Sequence, residues 1–161
     1  MLILSALLVA VDFFLGEAIV SANWKLSKHS LEYIERLKQP NINTRLIESG
    51  KNCQIQAFSK KHQLSINENH KLLINKQSLL KDTSAKALLC SIDKIYLLTD
   101  SNYNAALYQL NIKSEKNIIR TKIISKLRYI NKLYLLDDII YLEQKSKNRL
   151  LALSNIVSKN N

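Results

Sequence analysis

The chain has 161 residues, of which 47% are apolar, and a formal net charge of +11. This length suits a single domain, and the apolar content supports a core, so the composition excludes wholesale disorder. Residues 1–50 carry five basic and five acidic groups, so the whole excess of charge lies in the remaining 111 residues. A basic surface attracts nucleic acid or anionic lipid, although a Lys- and Asn-rich chain also arises simply from an A+T-rich genome.

The first element that the sequence predicts is one long N-terminal helix. Residues 2–22 are almost entirely apolar, and from Trp24 the apolar positions follow a period near 3.6, which is typical of an amphipathic helix. Pro40 disfavours helical geometry at the preceding residue. We therefore expect the helix to span 1–38 and a connecting segment, ending near Gly50, to span 39–52.

The segment 53–161 has a different pattern, with short apolar runs separated by polar clusters. Such spacing is typical of antiparallel hairpins. Because the chain has only two glycines and one proline, we expect Asn, Asp, Ser and Lys to form the turns. The adjacent Asp137 and Asp138 fit a two-residue turn better than a catalytic carboxylate pair, since neighbours on a strand point apart.

A basic strand is predicted over residues 119–129. Ile119, Ile123, Leu127 and Tyr129 would share one face, and the opposite face would carry Arg120, Lys122, Lys126 and Arg128. With Tyr129 and Tyr134 nearby, the four cations are candidates for contact with an anion or with DNA, in which the aromatic rings stack on bases. The simpler interpretation is a solvated strand face in a Lys-rich protein.

Signatures of catalysis and of cofactor binding are absent from the sequence. There is no Walker loop, Rossmann glycine fingerprint, nucleophile elbow or HExxH helix. His29, His62 and His70 share no ligand spacing, so we expect each to be solvated. The sequence therefore predicts a protein that is not an enzyme, with no catalytic residue, cofactor, metal or small-molecule substrate.

The two cysteines, Cys53 and Cys90, are 37 residues apart in the sequence. This separation does not match a zinc site, which needs close pairs of ligands. One disulfide in an oxidising compartment and two buried thiols in a reducing one both remain open.

The order of these features resembles the type IV pilin superfamily, and most closely the minor pilins of the PilW kind. An apolar helix turns amphipathic, "RLIESGKNCQIQAF" leads to a first cysteine, "DTSAKALLCSIDKIYLLTD" holds a second, and "KLYLLDDIIYLEQKSKNRLLALSN" provides Tyr-rich hairpins. The sequence departs from the family in having no basic leader, cleavage-site Gly or early helix Glu before Met1. A helix whose first residues are missing would account for this departure.

The resemblance implies an α+β fold in which the long helix packs on an antiparallel sheet. It implies an assembly subunit of a type IV pilus, or of a related secretion or DNA-uptake filament, with other pilins and the inner membrane as partners. Its location would be the inner membrane, single-pass with a periplasmic C-terminal domain, or the pilus. Cys53 and Cys90 would form a disulfide in that compartment. The apolar side chains of the membrane or filament core would be Leu2, Ile3, Leu4, Leu7, Leu8, Val11, Phe13, Phe14 and Leu15.

Two other interpretations compete with the pilin hypothesis. The first is a membrane-tethered β-domain that binds DNA or another anionic partner. The second is a fragment of a repeat β-protein, such as a pair of propeller blades, because "KIYLLTDSNYNAALYQLNI" is similar to "KLYLLDDIIYLEQKSKNRLLALS". Two repeats are too few to be stable alone, and this second interpretation leaves the N-terminal helix unexplained.

Overall fold

The part of the chain that the structure describes folds mostly into β-strands. A computed structural model describes residues 24–30, 32, 36, 38, 45–57, 60–78, 84–101, 104–114 and 117–155. Strands account for 72% of this part of the chain, which contains no helix of seven or more residues. In chain order the strands are β1 (Trp24–Ser30), β2 (Ile47–Glu48), β3 (Asn52–Ala57), β4 (Lys60–Ile66), β5 (Leu72–Ile74), β6 (Gln77–Ser78), β7 (Ala85–Cys90), β8 (Ile95–Ser101), β9 (Asn104–Ser114), β10 (Asn117–Leu127), β11 (Lys132–Leu136), β12 (Ile139–Gln144) and β13 (Arg149–Asn155). A 3-10 turn, η1 (Lys145–Lys147), lies between the last two strands.

The strands form three antiparallel sheets. Sheet I has the order β3-β4-β5-β6, sheet II the order β10-β9-β8-β7, and sheet III the order β1-β13-β12-β11-β2. Sheets I and II are simple meanders, in which every strand pairs with its neighbour in sequence. Sheet III is a meander of β11 to β13 that is extended on both edges by β1 and β2.

Sheet II lies between the other two sheets, and its strands β7 and β8 are buried on both faces. Leu89 of β7 belongs to a core shared with sheet III, which also includes Leu133 and Leu142. The preceding residue, Leu88, belongs to a second core that sheet II shares with sheet I and that includes Leu64. This alternation is what the two-residue period of a strand requires when both faces are covered. Face-to-face stacking of four-stranded meanders is the arrangement of blades in a β-propeller.

The two segments whose sequences are similar do not occupy equivalent positions in this stack. β8 is the second strand of its meander, whereas β11 is the first strand of its own. The first strand of sheet II, β7, contacts the first strands β3 and β11 of the two neighbouring meanders. The similarity therefore reflects two strand–turn–strand hairpins of similar composition, and not one repeated unit.

The outer faces of the stack differ in polarity. Sheet I exposes polar side chains such as Gln54 and Gln63. Sheet III instead buries an apolar cluster on its outer face, consisting of Tyr134, Leu136, Tyr141, Leu150 and Ala152. The chain between β1 and β2 connects opposite edges of sheet III. Two of its described residues contact this face: Leu46 packs on the cluster, and Lys38 Nζ lies 5.1 Å from the centroid of the Tyr134 ring.

The prediction that residues other than glycine would form the turns is confirmed. Asn75 and Lys76 have φ values of 47° and 69°, and Asp137 and Asp138 have values of 48° and 63°. Both pairs join strands directly, as the central residues of two-residue hairpins. Positive φ at both central residues is the geometry whose twist matches that of the flanking strands, and Asn and Asp tolerate it better than most side chains.

The predicted α+β fold with a long N-terminal helix is wrong. Trp24–Ser30, expected as the amphipathic half of the helix, forms strand β1 and pairs with β13 along its whole length. Glu32 and Arg36 are helical, but they follow a strand and do not continue a helix. Seven residues of β13 pair with β1. The backbone pairing between these distant segments outweighs a local period that is compatible with a helix.

The predicted single-pass inner-membrane location is also contradicted. Among the described residues, no helix is both long enough and apolar enough to cross a membrane. The nine apolar residues predicted for a membrane or filament core, between Leu2 and Leu15, lie outside the described part of the chain.

Candidate anion-binding groove

An open groove lies between sheets II and III, at the end of the stack where β8 and β12 finish and β11 begins. Its volume is about 460 Å³, and its described lining consists of Lys86, Asp100, Tyr129, Asn131, Lys145 and Ser146. These residues are distant in sequence. Antiparallel pairing brings them together, because it places the start of β7, the end of β8, the β10–β11 connection and η1 at one end of the stack.

Tyr129 is the only aromatic side chain among the described lining residues. It lies in the β10–β11 connection with φ at 59°, and 52% of its surface is exposed. Leu127 and Ile130 on either side are buried and anchor the connection in the core between sheets II and III. Because positive φ is uncommon for a residue other than glycine, its presence at an exposed aromatic residue marks a position that the surrounding structure determines.

A buried amide holds the backbone that presents Tyr129. Gln144, at the end of β12, is only 3% exposed. Its Nε2 donates a hydrogen bond to the carbonyl oxygen of Arg128, and its Oε1 accepts one from Nε of Arg149. A buried polar group is costly unless it is paired. This network therefore fixes the loop that carries Arg128 and Tyr129 against the end of sheet III.

Lysine side chains lie in the lining of the groove and beside its aromatic ring. Inside it, Lys86 Nζ lies 2.9 Å from Oδ2 of Asp100, so these two charges largely cancel. Lys147 Nζ lies 6.0 Å from the centroid of the Tyr129 ring, within the range of a cation–π contact. Lys145 in the lining and Lys147 beside the Tyr129 ring form no ion pair within the described part of the chain, nor do Lys126 and Arg128, which are close to Tyr129 in the sequence.

The opposite end of the stack carries acidic groups. Asp93 lies in the β7–β8 connection, and Asp137 and Asp138 form the β11–β12 turn. Lys94 Nζ lies 2.7 Å from Oδ1 of Asp138, an ion pair that joins sheets II and III. The hydrogen bond to Asp138 raises the pKa of Lys94, against a smaller opposing effect of desolvation. The carboxylates of Asp93, Asp137 and Asp138 therefore lie at the end of the stack away from the groove.

The predicted basic strand exists as β10, but its faces differ from the prediction. Ile123 and Leu127 are buried, whereas Ile119 is 47% exposed. Register shifts beyond Lys122 interrupt the alternation, because each bulge turns the following side chains to the other face.

The four predicted anion-contact residues have different surroundings in the structure. The Arg120 guanidinium lies 5.2 Å from the centroid of the Tyr108 ring, and Lys122 is half-buried. Lys126 and Arg128 are exposed and lie within three residues of Tyr129 in the sequence. Tyr134, the second proposed stacking residue, is 2% exposed and its hydroxyl donates to Glu143, so it offers no stacking surface.

Sequence reasoning missed Lys86, Lys145 and Lys147 as members of the site. Lys145 and Lys147 stand in a polar cluster, "KSKN", which indicated a turn and nothing more. No local signal pairs this turn with Tyr129, because the two meet only when β11 and β12 form a hairpin.

The predicted disulfide between Cys53 and Cys90 is confirmed. Their Cα atoms are 6.2 Å apart, within the range that a bridge requires. The bond joins β3 of sheet I to β7 of sheet II, on the side of the stack away from the groove.

The histidines have two different environments, and no group of potential metal ligands is present among the described residues. His70 is exposed, as expected, but the prediction of a solvated His62 is wrong, since only 3% of this residue is exposed. Its Nδ1 lies 3.1 Å from Nδ2 of Asn75 and its Nε2 lies 3.2 Å from the Ala57 carbonyl oxygen. These contacts give His62 a structural role in sheet I. The side chain of His29 lies outside the described part of the chain.

Comparison with known proteins adds no relative, because no protein-family model, curated protein or solved structure matches the chain significantly.

Proposed function

We propose that this chain is a non-enzymatic binding module and that the groove at Tyr129 contacts a polyanion, with nucleic acid as the candidate partner. One observation carries the proposal: a concave site holds an exposed aromatic ring together with Lys145 in its lining and Lys147 beside the ring, and neither lysine forms an ion pair in the described part of the chain. Two more exposed cations, Lys126 and Arg128, lie within three residues of the ring in the sequence. Phosphate backbones bind through such cations with release of counterions, and exposed aromatic rings stack on bases.

The position of the cations supports this function over a purely solvated surface. Lys145 and Lys147 lie in η1, which joins two paired strands of sheet III, and Arg128 is held through its backbone by Gln144. Backbone that is held in place before binding loses less conformational freedom on binding than a mobile loop does.

The salt dependence of binding provides the first test. If all four cations contact phosphates of a single strand, the slope of log K against log salt concentration is about −3, at about −0.7 for each contact. Fluorescence anisotropy with a labelled oligonucleotide, at salt concentrations between about 50 and 200 mM, measures this slope.

Matched lysine variants locate the binding site. Lys145→Ala and Lys147→Ala each remove one contact, so each weakens binding and makes the slope shallower by about 0.7. Lys61→Ala removes the same charge from the exposed face of sheet I, and we expect it to change neither quantity. Absence of binding at the lowest salt concentration, or an equal effect of Lys61→Ala, would refute the proposal.

Assembly of a type IV pilus stays a prediction. It rested on the order of an apolar helix, two cysteines and a set of hairpins. The disulfide and the hairpins agree with this order, whereas the strand at Trp24–Ser30 does not. No contact among the described residues favours a filament subunit, and we therefore base the proposed function on the groove.

A further inference from the structure

We infer that the groove selects single-stranded nucleic acid, with one base placed against the ring of Tyr129. This inference rests on the proposed function, because it names the form of the polyanion that the groove accepts.

The size of the groove matches one nucleotide unit. Its volume of about 460 Å³ lies within the range of about 300–1,000 Å³ that is typical of sites for small organic ligands. An unpaired base can turn away from its own backbone and enter such a site. Bases in a duplex are stacked and paired, so a duplex presents only its phosphates to the rim.

Tyr129 supplies the stacking surface. Half of its surface is open to solvent, yet its backbone is fixed by Leu127 and Ile130 in the core and by the hydrogen bond from Gln144 to Arg128. Lys147 lies near the ring, where it can pair with a phosphate adjacent to the stacked base. A rigid and exposed ring loses little entropy when a base stacks on it.

The polar lining distinguishes a base from a phosphate. Asn131 and Ser146 provide donors and acceptors that suit base edges, and the ion pair of Lys86 with Asp100 leaves the wall that these two residues share with little net charge to attract a phosphate. Phosphates are therefore favoured at the rim, beside Lys145 and Lys147.

Three labelled probes of equal length separate the contributions of base and phosphate. They are a mixed-sequence single strand, the duplex of the same sequence and a single strand whose central nucleotides are abasic. We expect the intact single strand to bind at least about 5-fold more tightly than the abasic strand, which is the effect of stacking one base. The duplex should also bind more weakly than the intact strand.

Variants of Tyr129 test whether the ring is responsible. Tyr129→Ala should reduce the affinity for the intact strand to that for the abasic strand, while Tyr129→Phe keeps the ring and should retain the preference. Thermal unfolding of both variants confirms that the fold is intact, and Lys61→Ala serves as the control for loss of a distant side chain.

The outcomes distinguish failure of this inference from failure of the proposed function. If the three probes bind equally and Tyr129→Ala has no effect, the groove binds polyanions without regard to bases and the inference is refuted. If none of the probes binds, the proposed function fails as well. Tighter binding of heparin than of the single strand, abolished by Tyr129→Ala, would assign the groove to an acidic polysaccharide and also overturn the inference.

Discussion

Removal of the disulfide between Cys53 and Cys90 should destabilise the protein strongly. The two residues are 37 positions apart, and the chain-entropy argument for a loop of this length gives a stabilisation of about 4 kcal/mol. This is a large share of the roughly 5–15 kcal/mol that separates folded from unfolded domains. For a chain of this size, it corresponds to a fall in Tm of about 8–16 °C.

The loss should not be uniform over the molecule. The bond joins sheets I and II, which are otherwise held together by a shared core that includes Ile55, Leu64 and Leu88. The contact between sheets II and III does not involve either cysteine. Reduction should therefore lower the free energy of opening of sheet I more than that of sheet III.

Urea unfolding of the wild type and of the Cys53→Ser/Cys90→Ser double variant, with and without reductant, measures the total effect. Hydrogen exchange measures its distribution: we expect the amide of Leu64 in sheet I to lose more protection than the amide of Leu142 in sheet III. The double variant should not respond to reductant, which makes it the control. A loss of less than about 1 kcal/mol, or equal loss of protection in both sheets, would refute the reasoning.

Three further predictions concern a turn, an ion pair and the tether of the groove loop. Lys76→Gly should raise the free energy of unfolding by about 0.5–1 kcal/mol, because φ is 69° at this position; an unchanged or lower urea midpoint would contradict this. The hydrogen bond from Lys132 lowers the pKa of Glu48 below its usual 4.5. The ionised carboxylate therefore stabilises the fold above pH 4.5, and this stabilisation is lost as the pH falls through the pKa of the folded state. Glu48→Gln should therefore lower the free energy of unfolding by at most about 1 kcal/mol at neutral pH and by progressively less below pH 4.5. If urea titrations show a loss of stability that does not change with pH, the ionised carboxylate is not its cause. Gln144→Leu should destabilise by about 1–3 kcal/mol, because it leaves the Arg128 carbonyl without its partner, and should also weaken oligonucleotide binding in the anisotropy assay; a variant of unchanged stability would show that the tether does not hold the loop.

Local pattern was sufficient to predict most of the β-structure after Gly50. Short apolar runs between Asn-, Asp- and Ser-rich clusters became hairpins, and the adjacent Asp137 and Asp138 became a two-residue turn. These features depend on residues that are close in sequence. The division into three sheets instead of one was not predicted, because it depends on which apolar face packs on which, and Leu88 and Leu89 look alike in the sequence while facing different cores.

The N-terminal prediction failed for a physical reason that a sequence alone does not reveal. Trp24–Ser30 carries only Trp24 and Leu26 as large apolar residues, and its period fits a helix as well as a strand. What decides its conformation is the unpaired edge of β13, which lies more than 100 residues away and pairs with β1 from Trp24↔Asn155 to Ser30↔Arg149. Pairing with β1 satisfies the backbone groups along that edge of β13, and β1 becomes the outer strand of sheet III.

The groove also depends on contacts between segments that are distant in sequence, and the positions of its cations in the sheets indicate their role. Charged residues and bulges on an edge strand protect it from association, which is a sufficient explanation for Arg120 and Lys122 on β10, the outer edge of sheet II. It does not explain Lys145 and Lys147, because their turn joins β12 to β13, both of which are paired on two sides. Nor does edge protection require a tyrosine at positive φ whose backbone is held by a buried amide. Lys145 and Lys147 are therefore cations at the groove that edge protection leaves unexplained.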